Sequence, residues 1–168
     1  LLADTAYWVA FYHGSAMPFA YRRRVEFRDT DAAGIVHFSV FFPMMEEAEH
    51  AALRHLGMSV LHPTGQNDHL TWPRVAAQCD FISPARFEET LRIEVTVNKI
   101  GTSSVTYGFA FYLEGPSSDP EAVAAGDSPG KLVARGSITT VCCLMTPGQP
   151  LQKRPIPDDV RQRLETLA

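Results

Sequence analysis

Residues 90–113 read TLRIEVTVNKIGTSSVTYGFAFYL, and the fold class turns on this stretch. Leu91, Ile93, Val95 and Val97 alternate with Arg92, Glu94, Thr96 and Asn98, a period of two with one wet face. Lys99-Ile100-Gly101-Thr102 turns the chain, after which Val105, Tyr107, Phe109, Phe111 and Leu113 resume the alternation. The pattern predicts two long strands in a hairpin with one buried face. Working outward, Leu132 to Met145 is rich in Val, Ile and Thr and predicts a third long strand. Arg22–Arg28 and Val75–Ile82 read as two more. The short reverse connections imply an antiparallel sheet. Gly115–Gly130, GPSSDPEAVAAGDSPG, reads as a long exposed loop between strands.

One substantial helix is predicted within Ser39–Leu56. Phe41, Met44, Met45, Ala48, Ala52 and Leu56 fall on one face at helical spacing. Ser39 is the expected N-cap, Pro43 belongs in the first turn, and Gly57 is the expected left-handed terminator. A second helix is predicted over Asp158–Leu167. The class is therefore α+β, with one apolar helix packed on a curved antiparallel sheet. Such a unit leaves strand edges exposed, and pairing them across a two-fold axis predicts a dimer or higher oligomer.

The chain has 168 residues, the size of one domain able to bury a core without metals or disulfides. Residues 17–168 read as that domain, and residues 1–16 as an N-terminal extension or tag-like leader. A formal net charge of −4 argues against a nucleic-acid binder. The three cysteines, Cys79, Cys142 and Cys143, are odd in number with two adjacent. That is no secreted disulfide framework and suits a reducing cytoplasm. There is no apolar run of membrane-spanning length.

The candidate chemistry lies in Arg24–His37, RVEFRDTDAAGIVH: a strand, a loop carrying Asp29 and Asp31, then the long helix. Gly34 permits backbone conformations that other residues resist. A carboxylate beside a helix N-terminus suits acyl transfer, because exposed N–H groups can hold an oxyanion while the carboxylate activates water or attacks directly.

The stretch DTDAAGIVHF resembles the signature of the 4-hydroxybenzoyl-CoA thioesterases and the acyl-CoA thioesterases associated with the Tol-Pal system. The resemblance continues through Glu46-Glu47-Ala48, Phe81-Ile82-Ser83-Pro84-Ala85-Arg86, Ile100-Gly101-Thr102-Ser103-Ser104 and Leu132-Val133-Ala134-Arg135-Gly136, and spans Tyr21 to about Pro157. It implies the hotdog fold, a long antiparallel sheet wrapped around one central helix. It also implies a homodimer or homotetramer with active sites between subunits, and hydrolysis of an acyl-CoA to a free acid and CoA. By motif position, Asp31 is the catalytic general base or nucleophile and Asp29 is structural. Backbone N–H groups from Gly34 to Phe38 would form the oxyanion site.

His37 is a candidate acid, base or substrate-orienting group. It stands where relatives carry Trp or Tyr, and Phe38 stands where many carry His. Val40 replaces an Asn near the helix start, and Thr102 replaces a basic residue. Phe41 and Met45 are candidate acyl contacts with Phe38, Met44 and Met58, while Lys99, Ser103 and Ser104 are candidates for the CoA arm. Arg135, Lys153 and Arg154 are further phosphate candidates. Glu46 matches a helix acid of the family and is read as structural. Glu46 and His50 have the spacing of a metal pair without a second pair, so no metal is expected, and no cofactor beyond CoA as part of the substrate. The alternatives are a non-catalytic acyl-CoA-binding protein and a hydroxyacyl dehydratase on the same fold.

Overall fold

The computed structural model describes residues 18–65, 67–114 and 130–168. In chain order the elements are β1 (Phe19–Arg24), α1 (Phe41–His55), β2 (His62–Pro63), β3 (His69–Thr71), β4 (Arg74–Phe81), β5 (Thr90–Ile100), β6 (Ser104–Leu113), β7 (Leu132–Val141), β8 (Cys143–Met145), β9 (Gln152–Lys153) and α2 (Asp158–Glu165). Short 3-10 turns occupy Phe27–Asp29 and Phe38–Val40. The main sheet is antiparallel with the order β1-β5-β6-β7-β4. The predicted leader and most of the predicted Gly115–Gly130 loop lie outside the described residues.

The alternation in β5 and β6 translates directly into burial. Leu91, Ile93, Val95 and Val97 face the core with Val105, Tyr107, Phe109 and Phe111. α1 lies on that face through Phe41, Met44, Met45, Ala48 and Ala52, all in the same cluster. Each fully buried large side chain here contributes about 1.5–3 kcal/mol before entropy is counted. Gly136 of β7 lets the helix approach. A Cβ there would collide with the Met45 sulfur and lie 3.0 Å from the Gln78 carbonyl oxygen.

α1 ends as predicted. Gly57 has φ +69°, its N–H donates to the Arg54 carbonyl at 3.0 Å, and the Met58 N–H reaches back to Leu53 at 2.8 Å. This is the Schellman arrangement. The start differs from expectation. Ser39 does not cap α1; it lies inside the 3-10 turn, whose cap is His37. Val40 precedes the α-helix without a side-chain cap.

Other boundaries shift for identifiable reasons. β1 stops at Arg24 because Val25 leaves β5 and exchanges hydrogen bonds with Glu88 and Glu89. The run Leu132–Met145 breaks at Cys142, whose N–H goes to Ser103 O and whose carbonyl accepts from Arg154. Beyond the break, β8 joins a second small sheet ordered β2-β3-β8-β9, built from strands too short to show a period. α2 ends at Glu165, two residues before the predicted Leu167. Its Arg163 donates to the Leu56 and Gly57 carbonyls, tying it to the end of α1. All three cysteines are free, and burial pushes the Cys79 and Cys142 thiols up to about 11. Among the described residues, no helix is long and apolar enough to cross a membrane.

β4 is an edge strand with nearly every residue exposed, including the apolar side chains Val75 and Phe81, and Ile82 just beyond it is exposed too. The close approach of α1 yields a test of the packing. Gly136→Ala should lower unfolding free energy by about 1–3 kcal/mol in urea titrations, because Met45 must move and the Gln78 backbone cannot.

Candidate active site

The turn that carries Asp31 is set up by Asp29. The Asp29 side chain is buried, and its carboxylate accepts two hydrogen bonds from Arg23, one of them at 3.2 Å, and one from the Glu26 N–H at 2.8 Å. Burial alone would raise the Asp29 carboxyl, but Arg23 and the Glu26 N–H outweigh it and hold the group below its ordinary value. A buried charge with this many donors is a structural pin. It converts the end of β1 into the 3-10 turn that delivers Thr30 and Asp31.

Residues 31–34 then form a tight turn. The Gly34 N–H donates to Asp31 O, the Asp31 N–H donates to Ile35 O, both at 2.9 Å, and Thr30 bridges Val36. Gly34 has φ +73°, which a side chain would strain. The Asp31 Oδ1 accepts from the Ala33 N–H at 2.8 Å, and Oδ2 has no partner among the described residues. The turn is seated on the connection after β4. The Val36 N–H donates to Ala85 O at 2.8 Å, and Ile35 bridges Arg86.

Beyond the turn, the His37 N–H donates to Asp29 O at 2.9 Å. Its Nδ1 lies 2.8 Å from Ser39 Oγ and accepts from the Ser39 N–H at 3.4 Å. That places the proton of the neutral ring on Nε2. The Phe38 N–H begins the 3-10 turn without an intrahelical acceptor and has no partner among the described residues. The Gly34 N–H, by contrast, is spent inside the turn. Of the two expected backbone donors, Phe38 is therefore the open one. An aromatic series runs inward from this point. His37 packs on Phe38 (4.5 Å between ring centres), Phe38 meets Phe81 (6.4 Å), and Phe81 meets the buried Phe41 (5.3 Å), which meets Phe111 (5.3 Å). Phe38 and Phe81 are 59% and 51% exposed, so the outer end of the series is an open apolar wall.

The family model for the thioesterase superfamily matches residues 33–118. The chain belongs to the thioesterase superfamily. A 1,4-dihydroxy-2-naphthoyl-CoA hydrolase of Thermosynechococcus vestitus is 33% identical over 138 residues, covering 82% of each chain. A gentisyl-coenzyme A thioesterase structure aligns with TM-score 0.66 and 25% identity, covering 87% of this chain and 99% of that one. The fold also matches an Asp-to-Asn variant of 4-hydroxybenzoyl-CoA thioesterase in complex with 4-hydroxybenzoyl-CoA, with TM-score 0.69 and 21% identity over 91% of this chain and 100% of that one. The antiparallel sheet around one central helix is the hotdog fold of this superfamily.

The remaining candidates divide. Met45 is fully buried beneath Gly136, so its place is in the core under the wall. Lys99, Ser103 and Ser104 sit at the opposite end of the sheet. β5 starts beside the seat of the Asp31 turn and runs 11 residues, which separates that turn from the β5–β6 hairpin by about 30 Å in one chain. Glu46 and His50 are 3.7 Å apart, and both contact Arg74, at 3.0 and 3.1 Å. A guanidinium holds the place a cation would take, and no group of three potential metal ligands occurs among the described residues.

Sequence reasoning missed Arg23, the place of Phe81 in the exposed apolar wall, and Glu49. Glu49 had a legible signal, since it lies four residues after Met45 and three before Ala52 on the apolar face of α1.

The Asp29 pin gives a pH-dependent prediction. Its carboxyl is depressed in the folded state, so its contribution is present above the unfolded carboxylate value of about 4 and is lost as pH falls through the folded value. Asp29→Asn should therefore cost about 2–3 kcal/mol near pH 7, and the deficit should shrink in acid. Denaturant titrations of both proteins across pH 3–7 check it.

Proposed function

We propose that this chain hydrolyses the thioester of an acyl-CoA whose acyl group is aromatic, with Asp31 as the reacting carboxylate. The observation that carries the reading is the geometry of the Asp31 turn. It holds a carboxylate with one oxygen fixed and one free, on the same hairpin as the unpartnered Phe38 N–H. In the reaction, Asp31 takes a proton from water as the water oxygen bonds to the thioester carbon, or its free oxygen attacks that carbon directly. The carbonyl oxygen becomes an oxyanion that accepts from the Phe38 N–H. The C–S bond then breaks, CoA leaves as the thiolate and takes a proton, and the acid is released. Where Asp31 attacks directly, water hydrolyses the mixed anhydride in a second step. His37, held at Nδ1 by Ser39, orients the substrate through its free Nε2–H.

The exposed wall of Phe38 and Phe81 supports an aromatic acyl group, because flat rings pack edge-on or offset against such side chains. The relatives named as 1,4-dihydroxy-2-naphthoyl-CoA hydrolases support the same class.

The reading includes a homodimer formed through β4. An exposed eight-residue edge strand is a template for pairing, and antiparallel pairing about a two-fold axis would extend the sheet through β4 of both copies. Opposite ends of the two chains would then share one edge. The partner's Lys99, Ser103 and Ser104 would come to the end of the sheet that carries Asp31, where a CoA arm could run between subunits. The separation of about 30 Å within one chain would thereby be compatible with a single substrate.

The test is thiol release from aromatic and aliphatic acyl-CoAs by purified protein, beside Asp31→Asn with folding checked by circular dichroism. Turnover is expected to favour aromatic substrates and to fall by at least about a hundredfold in the variant. Phe81→Ala should raise KM for an aromatic acyl-CoA by about tenfold, with a smaller effect on short aliphatic ones. Full activity in Asp31→Asn would remove its role, and saturable binding without turnover would replace hydrolase by binding protein.

A further inference from the structure

Glu49 belongs neither to the Asp31 turn nor to the aromatic wall, and its position in α1 is costly. Its side chain is fully buried. Oε2 accepts from Arg74 Nη2 at 2.8 Å, and Oε1 has no hydrogen-bond partner among the described residues. The same Arg74 nitrogen also faces Glu46, one turn earlier in α1, at 3.0 Å and the adjacent His50 at 3.1 Å. From β6, the buried phenol of Tyr107 is pushed up by burial and by Glu49. From β7, Thr140 stands directly opposite Arg74, with its Oγ1 buried and without a partner among the described residues. Arg54 and Arg74 both bear on His50, which burial and these cations hold below its ordinary value.

Arg74 is the first residue of β4, and the β4–β7 register is irregular between Arg74 and Ala76. Bulges of this kind re-aim side chains, and here Arg74 turns toward the helix while Val75 stays exposed. The other end of β4 bears Phe81, and the connection just past it seats the Asp31 turn through Ala85 and Arg86. The arrangement is a continuous line from α1 through Arg74 and β4 to that turn.

We propose that Glu49 is a positioning residue that, as a carboxylate, holds Arg74 and so fixes β4 and the seat of the Asp31 turn, and that on taking a proton it lets β4 loosen while staying enclosed by α1 and β6. Burial pushes its carboxyl up, Arg74 pulls it back and Glu46 pushes it up further, with the balance at about 7. The latch is therefore closed above neutrality and loosens below it. Global stability moves the other way. A carboxyl raised in the folded state contributes stability that is full below its unfolded value of about 4.5 and lost as pH rises through about 7. The two opposed trends separate a latch from a merely structural residue. The activity arm of the idea rests on the proposed hydrolysis; the strand arm does not.

The experiment is hydrogen exchange by mass spectrometry on the whole chain at pH 6 and pH 8, corrected for intrinsic exchange, beside Glu49→Gln. Protection of residues 74–81 in the wild type should be about fivefold greater at pH 8 than at pH 6, with β5 and β6 unchanged. Glu49→Gln should show the lower protection at both, be at least as stable globally at pH 8, and lose the limb of the kcat/KM profile near neutrality. Retention of the wild-type pH dependence in Glu49→Gln would overturn the latch. So would β4 protection in the wild type that is flat or that rises on acidification, the sign expected if opening hydrates Glu49. If Glu49→Gln does not fold, the wild-type comparison of β4 with β5 and β6 decides. If no acyl-CoA is turned over, the hydrolase reading fails while the exchange result still decides the latch.

Discussion

Burial of the apolar face of α1 against the concave side of the main sheet is the constraint on which the other features rest. The helix can lie there because β5 and β6 place every second side chain on that face, and because Gly136 removes the one side chain that would hold Met45 away. Once the helix is fixed, so is its start, and the chain entering it from β1 has only residues 25–40 in which to turn. The Asp29 pin, the tight turn at 31–34 and the His37 cap all lie in that short connection. The position of the Asp31 carboxylate thus follows from core packing at one remove.

The features legible in the sequence were those carried by local periodicity or by one residue's special chemistry. The alternation in 90–113, the apolar stripe of α1 and the terminator Gly57 each depend on neighbours a few residues away, and each is found as read. The small sheet of β2, β3, β8 and β9 was not legible, because strands of two or three residues carry no period. The break at Cys142 was hidden for a different reason. Its residues have the composition of a continuous strand, and only the distant partners Ser103 and Arg154 divert it. Phe81 escaped notice as part of the wall because its neighbours Phe38 and Phe41 are some 40 positions away in sequence.

The opposed ends of the sheet make a different kind of demand. In an antiparallel sheet, the hairpin joining β5 and β6 must lie at the far end from the point where β5 begins. No rearrangement of side chains in one chain can bring Ser104 to Asp31. A two-fold axis through an edge strand reverses the direction of the whole second sheet, so what is distant within a copy becomes adjacent between copies. In the proposed dimer, the exposure of β4 and the separation of the candidate residues would be answered by the same operation.

Three carboxylates near the sheet ends differ chiefly in how fully their oxygens are satisfied, and that difference orders their roles. Asp29 receives two bonds from Arg23 and one from a backbone N–H. Its charge is fully compensated and it has no capacity left for chemistry. Asp31 receives one bond at Oδ1, enough to orient it, and Oδ2 has no partner among the described residues. Glu49 also receives one bond, but it is fully buried, so an open oxygen on the carboxylate is a standing cost that a proton relieves. The same group can thus serve as a pin, as the proposed reactant or as the proposed proton-sensitive contact, according to the number of donors around it and its burial.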